Sequence, residues 1–153
     1  MLLATTRSAN LILAGMLAGN ELGTWAEVHP ALEELSPAER LRAEQALTRR
    51  FGAVMPAWMG SALASCFAAA LLARGSAGFR RSFLGALCFA AMLASTRLGN
   101  VPINTRPLEL TEADLEEFGR LRDRWDRLHT LRVALTTAGF AALVSGALAG
   151  GGR

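Results

Sequence analysis

Glu21, Trp25 and His29 follow one another at intervals of four in the first apolar stretch of the chain, and Trp125, His129 and Arg132 at intervals of four and three where the last begins. On a helix each set falls along one stripe. Such residues could carry out acid–base chemistry. His29, His129 or Glu21 could take or return a proton, Arg132 could bind an anionic oxygen, and Trp25 and Trp125 add aromatic surface beside them. A carboxylate inside a membrane span is costly and ordinarily faces the bundle interior or a wet cavity, which singles out Glu21. An ion pair with an arginine, or a cap on a neighbouring helix, would explain it on structural grounds alone. His29 and His129 are the two histidines of the chain. As imidazoles they could instead be ligands of a metal or haem, with Glu21 as a third group.

A third candidate segment is Arg97-Leu98-Gly99-Asn100-Val101-Pro102-Ile103-Asn104-Thr105-Arg106-Pro107. Asn100 and Asn104 supply neutral donors and acceptors, and Arg97 and Arg106 can bind an anionic oxygen. Its prolines and glycine predict a broken helix. Irregular backbone near membrane depth is tolerated only when buried in protein or lining a cavity.

These residues must be positioned by membrane helices. Of the 153 residues, 52% are hydrophobic, and the mean hydropathy is +0.28, too apolar for an ordinary soluble domain of this length. A net charge of +3, aromatics at 7% and acids interleaved with the arginines exclude a nucleic-acid-binding surface. Spanning the hydrocarbon takes about 20 residues. Four stretches meet or approach this, at about 9–30, 51–73, 81–99 and 129–149, with the first retained as a span. The fold expected is all-α, a single membrane domain over 1–153 built as an antiparallel four-helix bundle.

Two helix starts precede their spans. Ser36-Pro37-Ala38-Glu39 places a cap, a first-turn proline and a third-position glutamate, and Thr111-Glu112-Ala113-Asp114 resembles it. Helices 2 and 4 are therefore expected to extend beyond the bilayer, with Leu41, Leu47, Phe51, Leu115, Phe118, Trp125 and Leu128 forming packed stripes and the intervening Arg, Asp and Glu a solvated face. Gly15, Gly19 and Gly23 form a small-residue stripe suited to close helix approach, within the chain or in a homo-oligomer. Cys66 and Cys88 lie within apolar runs and are read as free thiols. Arg7, Arg74, Arg80, Arg81 and Arg153 share one end without an acidic residue, which favours cytoplasmic termini in a bacterial cytoplasmic membrane. Helix polarity then brings Glu21, Trp25 and His29, the Asn100–Asn104 segment, and Trp125, His129 and Arg132 to the opposite mouth.

Ala18-Gly19-Asn20-Glu21, Val28-His29-Pro30-Ala31-Leu32, Arg49-Arg50-Phe51 to Met55-Pro56, Asn100-Val101-Pro102-Ile103-Asn104 and Trp125 with His129-Thr130-Leu131-Arg132 together resemble the small anthrone-oxygenase-like membrane proteins, over roughly residues 10–148. The resemblance implies a four-helix membrane protein, with some members that convert an anthrone to an anthraquinone in aromatic polyketide pathways. His29, Asn100, Asn104, Trp125 and Arg132 match the family pattern. At His129 many relatives carry Asn, so this chain adds a second imidazole there. The expectation is an oxidative enzyme acting on a hydrophobic aromatic or polyketide-type small molecule drawn from the bilayer. Dioxygen without a cofactor is preferred, and a haem- or copper-dependent oxidase is second. A non-redox cyclase or isomerase and a non-catalytic membrane subunit are the competing classes.

Overall fold

The computed structural model describes residues 1–151; Arg153, counted above among the basic residues of one end, lies outside them. Among the described residues the chain is helical with no strand. The helices are α1 (Leu2–Gly23), α2 (His29–Glu33), α3 (Pro37–Leu72), α4 (Phe79–Ser95), α5 (Val101–Thr105) and α6 (Leu115–Gly151). Five-residue π turns join α1 to α2 and α4 to α5, so the molecule consists of four rods, Leu2–Glu33, Pro37–Leu72, Phe79–Glu109 and Glu112–Gly150. All four are long and apolar enough to cross a membrane.

Contacts run in opposite directions along each neighbouring pair. Gly15 meets Phe140 while Glu21 meets Arg132 and His29 meets Arg122. Asn10 donates to Ser65 Oγ and Cys66 Sγ, both at 3.1 Å, while Arg40 lies 3.8 Å from Glu33. Gly85 lies against Leu143 while Gly99 lies against Leu128. The bundle is therefore antiparallel, an up-and-down arrangement dictated by the short connections. The connection between α3 and α4 turns at Gly75, whose φ of +79° lies where a side chain would be strained.

The two predicted starts form as written. Ser36 precedes Pro37 in extended conformation, and its N–H donates to the Glu39 carboxylate at 3.1 Å. Thr111 Oγ1 accepts from the Ala113 N–H at 3.3 Å, and the Thr111 N–H donates to Asp114 at 3.0 Å. The ends of α3 and α6 nearest these caps share a small core of Leu41, Leu110 and Phe118. Gln45 Nε2 anchors the chain beside it by donating to the carbonyls of Pro107 at 2.9 Å and Leu110 at 3.0 Å. The larger core, around Leu17, Met59, Phe89, Met92 and Leu143, fills the opposite half with small residues between them.

Two expectations need correction. The prolines do not break the third rod. A π turn at Thr96–Asn100 ends with the Val101 N–H donating to the Thr96 carbonyl, and Pro102 follows one residue later. The first rod repeats the device, with a π turn at Thr24–Val28, the His29 N–H donating to the Thr24 carbonyl, and then Pro30. A proline lacks an N–H and crowds the carbonyl four residues back. The wider turn just before each ring relieves that crowding without ending the rod. The glycine stripe as a contact within the chain is the second correction, because among Gly15, Gly19 and Gly23 only Gly15 has a neighbour where a Cβ would sit. Close approach occurs instead between α4 and α6, where a Cβ on Gly78 would lie 2.1 Å from the Gly146 carbonyl oxygen and one on Gly85 would lie 2.8 Å from that of Gly139. Cys66 and Cys88 are free, as expected.

Gly78→Ala should therefore destabilise the bundle by about 1–3 kcal/mol through backbone collision, read as earlier thermal unfolding in detergent. Gly60→Ala, with open space around its Cβ, should leave stability equal or slightly raised.

Candidate functional site

Residues 118, 122, 125, 129, 132 and 136 of α6 alternate by four and three. Phe118, Arg122, Trp125, His129, Arg132 and Thr136 are all buried. That spacing keeps one face toward the neighbouring helices, and here the inward face carries two guanidinium groups, an indole and an imidazole.

Across from this stripe, Glu21 is 1% exposed. Its Oε1 pairs with Arg132 Nη2, and its Oε2 lies 3.4 Å from His129 Nδ1. Trp125 is the centre of the aromatic contacts. Its ring stacks on His129 with centroids 4.4 Å apart, meets His29 at 4.5 Å, and carries the Arg122 guanidinium carbon 4.3 Å above it. The two imidazoles are 5.4 Å apart.

His29 reaches this cluster because of the π turn. Eight residues of regular helix rotate a side chain about 80° past two full turns. One inserted residue removes about 100° of that, which returns His29 to the face of Glu21. Trp25 falls inside the wide turn and is displaced from the stripe. It is 45% exposed, with Nε1 donating to Thr130 Oγ1 at 3.2 Å on the outside of the bundle.

Arg122 and Glu44 were hidden in the sequence among residues read as a solvated face, and the structure corrects that reading for both. Each is buried. Arg122 Nη1 lies 2.8 Å from Glu44 Oε2, Arg122 Nη2 donates to Asp126 at 2.9 Å, and Arg40 Nε donates to Glu44 Oε1 at 3.0 Å. Arg122 Nη2 is also 3.0 Å from His29 Nδ1. A guanidinium has no acceptor. His29 Nδ1 must therefore accept, which leaves the ring proton of the neutral imidazole on Nε2. The signal in the sequence was the unbroken four-three spacing, which continues through Arg122 as well as through Trp125 and His129.

A cavity of about 440 Å³ opens onto this cluster, lined by Glu21, His29, Arg97, Asn104, Trp125, His129 and Arg132 among the residues predicted. Glu44, Arg122, Thr96 and Arg49 line it as well, and Val28, Leu47, Phe51, Met55, Pro56 and Val101 make its walls largely apolar. Asn100 is fully buried and does not line it. Arg106 lies outside, paired with Glu117 at 2.7 Å and Glu109 at 3.0 Å. Among the described residues no group of three or more His, Cys, Asp or Glu is arranged to hold a metal ion. The nearest approach to one, Glu21 with the two histidines, is engaged by Arg132 at Glu21 and by Arg122 at His29 Nδ1.

Arg122→Met should destabilise the protein by about 3–5 kcal/mol, because it leaves Glu44 buried beside Arg40 alone. Combining it with Glu44→Gln should recover a large part of that loss in the same thermal-unfolding measurement.

No curated protein and no solved structure matches the chain. Residues 45–142 match the family described as Anthrone oxygenase. The matched region runs from α3 through the buried stripe of α6, whereas Glu21 and His29 are contributed from outside it. Well over half of its length fits that family and its four rods are of membrane-crossing length, and the chain therefore belongs to the anthrone oxygenase family.

Proposed function

We propose that the protein is a membrane-embedded oxygenase that oxidises a hydrophobic aromatic or polyketide-type molecule, with an activated methylene, at the floor of this cavity. The juxtaposition that carries this reading is His129, held between Trp125 and Glu21, beside His29 beneath an apolar chamber.

Glu21 Oε2 stands 3.4 Å from His129 Nδ1 without a hydrogen bond, and a closer approach on substrate binding would hold Nδ1–H and leave Nε2 as the base, the arrangement a carboxylate gives a catalytic imidazole. His129 takes a proton from the methylene between two ring systems, and the electrons spread into the carbonyl opposite. His29 is complementary: with Nδ1 accepting from Arg122, it presents Nε2–H as a donor to the developing oxyanion. Two imidazoles in different surroundings thus take different parts. The carbanion gives its electrons to dioxygen, a C–O bond forms, and protonated His129 returns its proton to give a hydroperoxide. Removal of the second C–H proton breaks the O–O bond and releases water. The balance is one methylene and one dioxygen giving one ketone and one water. Dioxygen is the oxidant, and the pairing of Glu21 and His29 with guanidinium groups favours acid–base use of these residues over metal ligation.

The test uses detergent-purified protein with an anthrone in air, following oxygen consumption and anthraquinone absorbance together. One dioxygen should be consumed per quinone formed, and His129→Ala should lower kcat by about 10²–10⁴-fold. Glu21→Gln should also lower kcat, with little change in KM. A cyclised or isomerised product without oxygen uptake would overturn oxygenation. A Soret band, or a stoichiometric metal lost in the double variant His29→Ala/His129→Ala, would overturn the cofactor-free chemistry.

A further inference from the structure

The charges lining the cavity do not balance. Arg49, Arg97, Arg122 and Arg132 face two carboxylates, Glu21 and Glu44. Glu21 is taken by Arg132 and Glu44 by Arg122, with Arg40 supporting Glu44 from behind. Arg49 and Arg97 form no ion pair among the described residues, so the surplus positive charge lies on these two.

Depth separates the two kinds of arginine. Arg122 and Arg132 are 7% and 6% exposed at the floor, whereas Arg49 on α3 and Arg97 in the π turn after α4 are exposed. Phe51, Met55, Pro56 and Val101 contribute apolar wall to the same cavity, beside Thr48 and Asn104. A molecule filling the chamber therefore meets buried acid–base groups, apolar wall and two exposed cations.

We infer that the substrate is an acidic amphiphile, whose ionised carboxylate or similar anionic group is held by Arg49 and Arg97 at the cavity mouth while the carbon to be oxidised lies at the floor. The inference rests on the oxygenase reading of the floor. A guanidinium binds a carboxylate through paired, charge-assisted hydrogen bonds. At the rim it stays hydrated when the cavity is empty, so an empty chamber does not strand a buried charge. An amphiphile in a bilayer keeps its ionised group at the interface and its apolar body below. The phosphate of a lipid headgroup offers the same anionic oxygens, and it is the competing occupant of the two arginines.

The experiment compares an anthrone carboxylic acid with its methyl ester, using the protein in phosphatidylcholine nanodiscs. Wild type should prefer the acid by at least about tenfold in kcat/KM, equivalent to about 1.4 kcal/mol. In Arg49→Gln/Arg97→Gln the acid-to-ester ratio should collapse toward one, chiefly through KM. Binding followed by tryptophan fluorescence reads the same ratio without turnover. A wild-type ratio near one, the result expected if the arginines face lipid phosphate, would overturn the inference. A preference that survives in the double variant would overturn it as well. Retained acid preference in binding, together with no oxidation of either compound, would support the anion site and overturn the oxygenase reading alone.

Discussion

A carboxylate and a guanidinium with almost no solvent contact can enter an apolar bundle only as partners. Glu21 and Arg132 meet that condition across α1 and α6. Either one alone would be an uncompensated charge in a medium that solvates it poorly. Together they fix how the first rod sits against the last. Sliding one rod by a turn would strand both charges, and would also carry His129 away from Glu21 and His29 away from Arg122. The register of the polar cluster follows from this single pairing.

The remaining architecture divides its work along the bundle axis. In the half around Phe89 and Leu143 the rods touch through glycine, alanine and serine, and Gly78, Gly85, Gly139 and Gly146 bring α4 and α6 to backbone contact. Apolar side chains gain little from leaving lipid for protein, so close van der Waals fit holds this half together. In the other half the rods are held apart by large polar side chains on α6, and a chamber remains between α3 and the π turn after α4. Arg122, with Glu44, Asp126 and Arg40 around it, seals the polar cluster on the side of the small Leu41 and Phe118 core. Rigid small-residue packing at one end thus supports an open site at the other.

The π turns are the other structural device. Each precedes a proline, whose ring crowds a regular helix, and each lies where residues of the polar end must be aimed. In the first rod the inserted residue turns His29 inward and Trp25 outward. In the third it keeps Thr96 and Asn100 buried, while Arg97 between them faces the cavity mouth. Such insertions are frequent at functional sites because they redirect a side chain without ending the helix.

Hydropathy and helix starts made the fold legible from residue order alone. Long apolar stretches separated by short connections leave few arrangements other than an antiparallel bundle, and the caps at Ser36 and Thr111 mark where two rods begin. The gathering of Glu21, His29, Asn104, Trp125, His129 and Arg132 at one end was equally legible, because helix polarity assigns each residue an end. Which face a residue occupies was not. Periodicity assumes one helical pitch, so it could not foresee that a π turn would exclude Trp25 from the cluster while keeping His29 in it. Composition treats a charged residue on a protruding helix as solvated, so it could not foresee that Arg122 and Glu44 bury each other. Local sequence determined the rods and the end at which the polar residues meet; tertiary packing decided which of them meet, because a buried charge is settled only by a partner from another helix.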